Sequence, residues 1–260
     1  MQKLIEADFY CYPKNQSLCL YYSDASVLKT RLFKGLSLQV SPKEGFLLRL
    51  RKSNLGHYFS KLFRTQKVKL SLPENSNTKI IYRNDNNLVY FDFENSTIKK
   101  IHKKLNNNKF LSINFLGYSL IESYSAEEYF TKRDNIIKAI KARWSELVSG
   151  ERLHGDFTHF NILLSTDGKI KFIDNKVIDN SILFDHFYFY GYYLQCLKKC
   201  KTINKKDVSI IKYDLQDIIF NTCKSSFKKE YLQSIKLDAA IGLTNNSREI
   251  FLNDFKQIFN

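Results

Sequence analysis

Between Asn161 and Asp174 the chain reads Asn-Ile-Leu-Leu-Ser-Thr-Asp-Gly-Lys-Ile-Lys-Phe-Ile-Asp, and this run constrains the fold more than any other. Two short apolar arms flank Ser165-Thr166-Asp167-Gly168, residue types that reverse a chain, so the run reads as a β-hairpin. In the second arm Ile170 and Phe172 alternate with Lys169 and Lys171, the period of a strand buried on one face. A hairpin returns the chain to where it began. Asp174 therefore lands beside Asn161, and two oxygen ligands distant in sequence converge on one hard cation.

Immediately upstream stands His154-Gly155-Asp156, with Asp156 five residues before Asn161. The whole run 154–174, HGDFTHFNILLSTDGKIKFID, resembles the catalytic core of the kinase-like phosphotransferases, in the HGD-x-x-x-x-N form of aminoglycoside, choline and sugar kinases. The resemblance covers 154–191 and is loose elsewhere. It implies an α+β, protein-kinase-like two-lobed fold with a small β-rich N-lobe and a mainly helical C-lobe. It also implies ATP and Mg²⁺ as cofactors. Phosphoryl transfer is largely a matter of positioning and charge neutralisation. By resemblance, Asp156 orients or deprotonates the acceptor hydroxyl, Asn161 and Asp174 hold Mg²⁺, and His154 braces the loop through hydrogen bonds. Gly155 replaces the Arg of the H-R-D pattern, and Asn175 follows Asp174 where the family has Phe or Trp.

Only a short step separates Asp174 from Asp185-His186-Phe187-Tyr188-Phe189-Tyr190-Gly191, which resembles the start of the central C-lobe helix. In the family an Asp there accepts hydrogen bonds from the catalytic-loop backbone, a role implied for Asp185; a plain helix N-cap is the alternative. The connection is too short for the activation segment of kinases that phosphorylate proteins. A small molecule or glycan is the expected acceptor.

Upstream, Asp134 followed by Ile136, Ile137, Ile140, Trp144 and Leu147 predicts a capped helix ending at Gly150. Tyr118 to Glu122 reads as a strand entering a hinge, with Glu122 marking position rather than chemistry. Lys79–Arg83, Leu88–Phe93 and Thr97–Ile101 read as three strands punctuated by turns. By resemblance a lysine of the third strand pairs with the nucleotide phosphates. Lys100 is the first choice, Lys99 the close alternative, and solvated strand-edge lysines the bland reading of both. No G-x-G-x-x-G loop is present, and residues 102–117 contain no acidic residue to serve as the partner of that lysine.

Residues 1–75 form an N-terminal extension or part of the N-lobe, 76–123 the N-lobe sheet and hinge, and 124–260 the helical C-lobe. In the first segment Leu18–Tyr22 and Gly45–Leu50 predict strands and Ala25–Leu36 a basic helix. In the last, Asp207–Cys223, Ser225–Leu237 and Asn246–Phe259 have helical periodicity. Five cysteines without a C-x-x-C pair read as reduced thiols, and Cys196 with Cys200 has no second pair to complete a zinc site. The N-terminus has no apolar run of signal-peptide length, and Ser181–Leu197 is interrupted by Asp185, His186 and Gln195, so a cytoplasmic setting is expected.

A formal charge of +15 calls for anionic partners, nucleotide and sugar phosphates among them. Residues 49–72 mix Arg and Lys with Leu55, Tyr58, Phe59, Leu62 and Phe63. A helix with a core stripe and a basic face is their first reading, and peripheral contact with the anionic inner face of a membrane another. Together with the resemblance, this points to phosphorylation of a sugar or lipid-linked glycan in bacterial lipopolysaccharide or surface-polysaccharide assembly. Two other classes stay open. A nucleotide-binding pseudokinase acting as an interaction module draws on the missing acidic partner; a nucleic-acid-binding protein draws on charge alone.

Overall fold

The computed structural model describes residues 4–12, 18–40, 55, 58, 67–73, 77–83, 87–93, 97–102, 111–114, 118–165 and 167–226. The fold is mixed α+β, and the chain divides into two compact units, Met1–Tyr118 and Ser119–Asn260.

The first unit is built on strands β1 (Leu4–Tyr12), β2 (Cys19–Tyr22), β3 (Lys67–Pro73), β4 (Thr78–Arg83), β5 (Asn87–Asp92), β6 (Thr97–His102) and β7 (Leu111–Asn114). They form one seven-stranded sheet in the order β3-β1-β2-β4-β5-β6-β7, every neighbour antiparallel. Strands β1, β2 and β3, from residues 4–12, 19–22 and 67–73, thus enter the same sheet as the three hairpin strands expected from 79–101. Side chains alternate between two buried clusters, as the two-residue strand period requires. Tyr10, Tyr12, Leu20, Tyr22, Ile80 and Phe91 point into one, where helix α1 (Arg31–Val40) contributes Leu32, Phe33 and Leu36. Phe9, Cys11, Cys19, Tyr21, Ile81 and Tyr90 point into the other.

Two expectations are corrected here. The helix expected over Ala25–Leu36 is a 3-10 turn, Ala25–Lys29, followed by α1. Thr30 separates them with an extended backbone and caps α1, its Oγ1 accepting from the Phe33 N–H at 3.2 Å. The segment 49–72 is not helical at its end: Lys67–Pro73 is β3, whose Lys-Val-Lys-Leu-Ser-Leu alternates with period two. Leu55 and Tyr58 are exposed; the remainder of 49–66 and the strand expected at 45–50 lie outside the described residues.

In the second unit, β9 (Ile162–Leu164) and β10 (Ile170–Phe172) pair antiparallel, Phe172 opposite Ile162. With β8 (Tyr118–Ser119), at the junction of the units, they form a three-stranded sheet, and the Leu120 N–H donates to the Ile162 carbonyl at 3.0 Å. Gly168 closes the hairpin with φ 77°, its N–H donating to Ser165. Helix α2 spans Ala126–Val148, so its start is not Asp134. Ser125 caps it, accepting from the Glu128 N–H at 3.1 Å, and the Ser-x-x-Glu spacing is the sequence signature of that start. The other end is a Schellman motif: Gly150 (φ 99°) donates to Leu147 and Glu151 to Glu146.

Helices α3 (Phe184–Lys199) and α4 (Lys205–Cys223) complete the described part of this unit. The Arg133 guanidinium and the Tyr129 hydroxyl of α2 grip Asp214 of α4, at 2.8 and 2.7 Å. His186 of α3 bonds the Ile140 carbonyl of α2 at 3.0 Å and packs edge-on against Trp144. All five cysteines are buried thiols outside any disulfide. No helix among the described residues is long and apolar enough to cross a membrane. The helices expected at 225–237 and 246–259 lie outside the described residues, apart from a 3-10 turn at Lys224–Ser226.

Candidate active site

The hairpin joins the two proposed metal ligands through the backbone. The Ile173 N–H donates to the Asn161 carbonyl at 3.0 Å, which leaves Asp174 next in line at the open end of the ladder. Asp174 is exposed and adopts φ 60°, the left-handed region that aspartate tolerates better than most side chains. That conformation turns the chain away from the strand direction at the candidate ligand. Asn161 spends its amide nitrogen on the Asp156 carbonyl, 2.8 Å away, and its Oδ1 has no hydrogen bond among the described residues. One bond thus orients the amide and leaves its oxygen for a cation.

These oxygen donors suit Mg²⁺, which takes one or two protein oxygens plus phosphate and water. Among the described residues no three or more His, Cys, Asp or Glu side chains gather as a metal cage.

Asp156 is held at both carboxylate oxygens. The Tyr188 hydroxyl of α3 donates to Oδ1 at 3.0 Å, and the Lys176 ammonium lies 2.6 Å from Oδ2. Burial, reinforced by the neighbouring carboxylate, pushes the Tyr188 phenol well above its ordinary range, so it acts as a donor. Tyr188 lies one helical turn from Asp185, on the same side of α3.

The loop itself is suspended from Asp185. This fully buried carboxylate accepts from the His154 N–H at 2.8 Å and the Gly155 N–H at 3.0 Å. Buried Arg143 of α2 donates to it at 2.8 Å, and also bonds Glu146 and the Arg152 carbonyl. Asp185 stands in the first turn of α3, and Leu183 occupies the cap position, so Asp185 is not the N-cap. His154 is buried, and its Nδ1 accepts from the Asp156 N–H at 3.3 Å. Burial lowers its pKa against the opposing field of Asp185, which keeps the ring neutral as an acceptor must be.

Gly155 has a steric reason to stand where the kinase pattern has Arg. Its φ is 74°, and a Cβ there would overlap the Lys176 carbonyl oxygen and approach Ile178 Cγ2 to 3.0 Å. The Lys176 N–H in turn donates to the His154 carbonyl at 2.7 Å. The guanidinium at this loop comes instead from Arg143.

His159, the second histidine of the run, bonds the Tyr124 hydroxyl at 3.1 Å and packs against Phe160 and Tyr193. Burial depresses its pKa to about 3. It is a core residue.

In the first unit Lys99 is 3.3 Å from Asp92, a fully buried carboxylate on the neighbouring strand β5. An acidic partner for a β6 lysine therefore comes from the adjacent strand. Lys100 pairs through its backbone with Val89 and Leu111 and is half-buried. Glu122 offers its backbone N–H to Glu128, at 2.7 Å.

Sequence reasoning missed Arg143, Lys176 and Tyr188. Arg143 lay within the apolar helix stripe, and Lys176 just past the hairpin. Comparison with protein-family models, with curated proteins and with solved structures finds no match to this chain.

Proposed function

We propose that the chain is an ATP- and Mg²⁺-dependent phosphotransferase of protein-kinase-like, two-lobed fold, acting on the hydroxyl of a sugar, a lipid-linked glycan or another small molecule. The observation that carries this reading is the backbone pairing of Ile173 with Asn161, which brings Asp174 one residue past the position held to Asn161, whose amide oxygen has no hydrogen bond among the described residues. Asp156 is tied to that amide through its own carbonyl. Base and ligands thus belong to one hydrogen-bonded unit.

In this reading Asp156 accepts the hydrogen bond of the attacking hydroxyl, and Tyr188 fixes which of its oxygens is used. Asn161 and Asp174 would hold Mg²⁺, which supplies charge neutralisation of the nucleotide phosphates when bound. Asp185 and Arg143 keep the loop backbone rigid, so that these groups need no reorganisation during transfer. The nine residues 175–183 leave no room for a polypeptide-docking segment, which supports a small or glycan acceptor. A peripheral position at the cytoplasmic membrane face would suit a lipid-linked one.

The rival is a nucleotide-binding module without turnover, and the engagement of both Asp156 oxygens favours it. A panel of sugars and lipid-linked glycans assayed for transfer from γ-labelled ATP divides the two. Label transfer that disappears in Asp156→Ala supports the enzyme; nucleotide binding with no transfer to any acceptor or to water supports the module.

A further inference from the structure

We propose that Lys176 is a catalytic residue of this site: its ammonium, seated on Oδ2 of Asp156, neutralises the phosphoryl group as it forms on the acceptor oxygen. The assignment rests on the phosphotransfer reading above. Three observations lead to it.

The first is access. Each Asp156 oxygen carries one partner, Tyr188 on Oδ1 and Lys176 on Oδ2 at 2.6 Å, so a hydroxyl that takes the second acceptor site of Oδ2 lies beside the ammonium. A hydroxyl hydrogen-bonded there, at about 2.7 Å, sits roughly 4–5 Å from the ammonium, and the phosphoryl oxygens that join it come within direct hydrogen-bonding reach.

The second is construction. Lys176 is fixed to the loop on both sides of its peptide: its N–H bonds the His154 carbonyl at 2.7 Å, and its own carbonyl packs where Gly155 lacks a side chain. A glycine at 155 is what lets residue 176 approach. The loop that carries the base thereby also carries the cation.

The third is burial. The Lys176 side chain is 68% exposed and that of Asp156 18%, so the pair is open to solvent on its lysine side. Such an exposed pair contributes little to stability. Its worth lies in placing a positive charge beside the reacting oxygen.

In the step itself, a lone pair of the acceptor oxygen forms the new bond to the γ-phosphorus as the bond to the β,γ-bridging oxygen breaks. ADP departs with that electron pair. The hydroxyl proton passes to Asp156 and then to solvent, and Lys176 keeps its protons throughout. On the side of the leaving group, Asn161 and Asp174 face the nucleotide; on the acceptor side, Lys176 answers the charge of the transferred group.

The test needs no known acceptor. Thermal unfolding of the full chain is followed with MgADP alone and with MgADP plus aluminium fluoride, which mimics the phosphoryl group in transfer. Wild type is expected to rise in Tm with MgADP and again with the fluoride. Lys176→Met should unfold within about 2 °C of wild type without ligand, keep the first rise and lose the second, and Lys176→Arg should regain it. ATP hydrolysis with water as acceptor should fall about 100-fold in kcat in Lys176→Met with KM for ATP unchanged. A second rise that survives in Lys176→Met, or is missing from wild type that responds to MgADP, overturns the assignment alone. No response of wild type to MgADP overturns the phosphotransfer reading and this assignment with it.

Discussion

The loop and hairpin of residues 154–176 and the strand pair β5–β6 each carry a residue proposed to meet nucleotide phosphate, and they are built differently. In the loop several polar groups are interlocked: Asp185 accepts from two backbone N–H groups, the Asn161 amide donates to the Asp156 carbonyl, and Tyr188 and Lys176 engage the Asp156 carboxylate. In the strand pair Lys99 leans on the buried acid Asp92 across an antiparallel ladder. A phosphotransfer site needs atoms fixed to a fraction of an ångström where bonds change, and only charge where phosphate is gripped. Substitutions should therefore be felt sharply in the loop and mildly in the strands.

The largest contrast is expected from the two buried acids. Asp185→Ala strands Arg143 and two buried N–H groups, and should cost about 3–5 kcal/mol in chemical unfolding. Asp92→Asn keeps a hydrogen-bonding group for Lys99, and about 1–2 kcal/mol is expected. Equal losses would break the comparison. Next comes Gly155→Ala, where a side chain at positive φ meets the Lys176 backbone; about 3 kcal/mol is expected, against near neutrality for Asn175→Ala.

The fold around the hairpin was legible because its signals are local. Ile170, Phe172 and the Asp-Gly turn show themselves within a few residues, and so did the end of α2 at Gly150. The start of α2 was equally local, but the Ser125-x-x-Glu128 box was passed over for Asp134, an ordinary mid-helix residue. Three other features depend on tertiary contact: Arg143 reaches Asp185 across 42 positions, Tyr188 reaches Asp156 across 32, and β3 pairs with β1 rather than with β2 or β4. No spacing within the sequence announces such pairings. Lys67–Pro73 was hidden by composition, because the basic, apolar stretch before it reads equally as a helix.

A smaller effect separates core from site by pH. His159 and His186 have folded-state pKa values depressed by burial to about 3 and about 4, while the unfolded chain takes up protons near 6.5. Below that pH the unfolded state binds more protons, so stability is complete above about 6.5 and falls as pH drops toward 4, by about 2 kcal/mol per histidine at pH 5. His159→Phe should remove its share of this slope; an unchanged slope would show that the ring is protonated in the folded state. The smallest effects belong to single hydroxyls and lysines. Tyr188→Phe should reduce turnover about tenfold while costing about 1 kcal/mol. Comparing Lys99→Met with Lys100→Met by ATP affinity then sharpens the strand half, since only the phosphate-contacting lysine should weaken binding.

The central claim is that Asn161 and Asp174 form a cation site on which nucleotide phosphate binds. Titration calorimetry with ATP, with and without Mg²⁺, tests it on wild type and on Asp174→Asn, which keeps a side chain that tolerates positive φ but removes the charge. The account predicts Mg²⁺-dependent binding by wild type, and loss of that Mg²⁺ dependence in a folded Asp174→Asn protein. The same Mg²⁺-dependent affinity in both proteins, or no nucleotide binding by wild type, would contradict it.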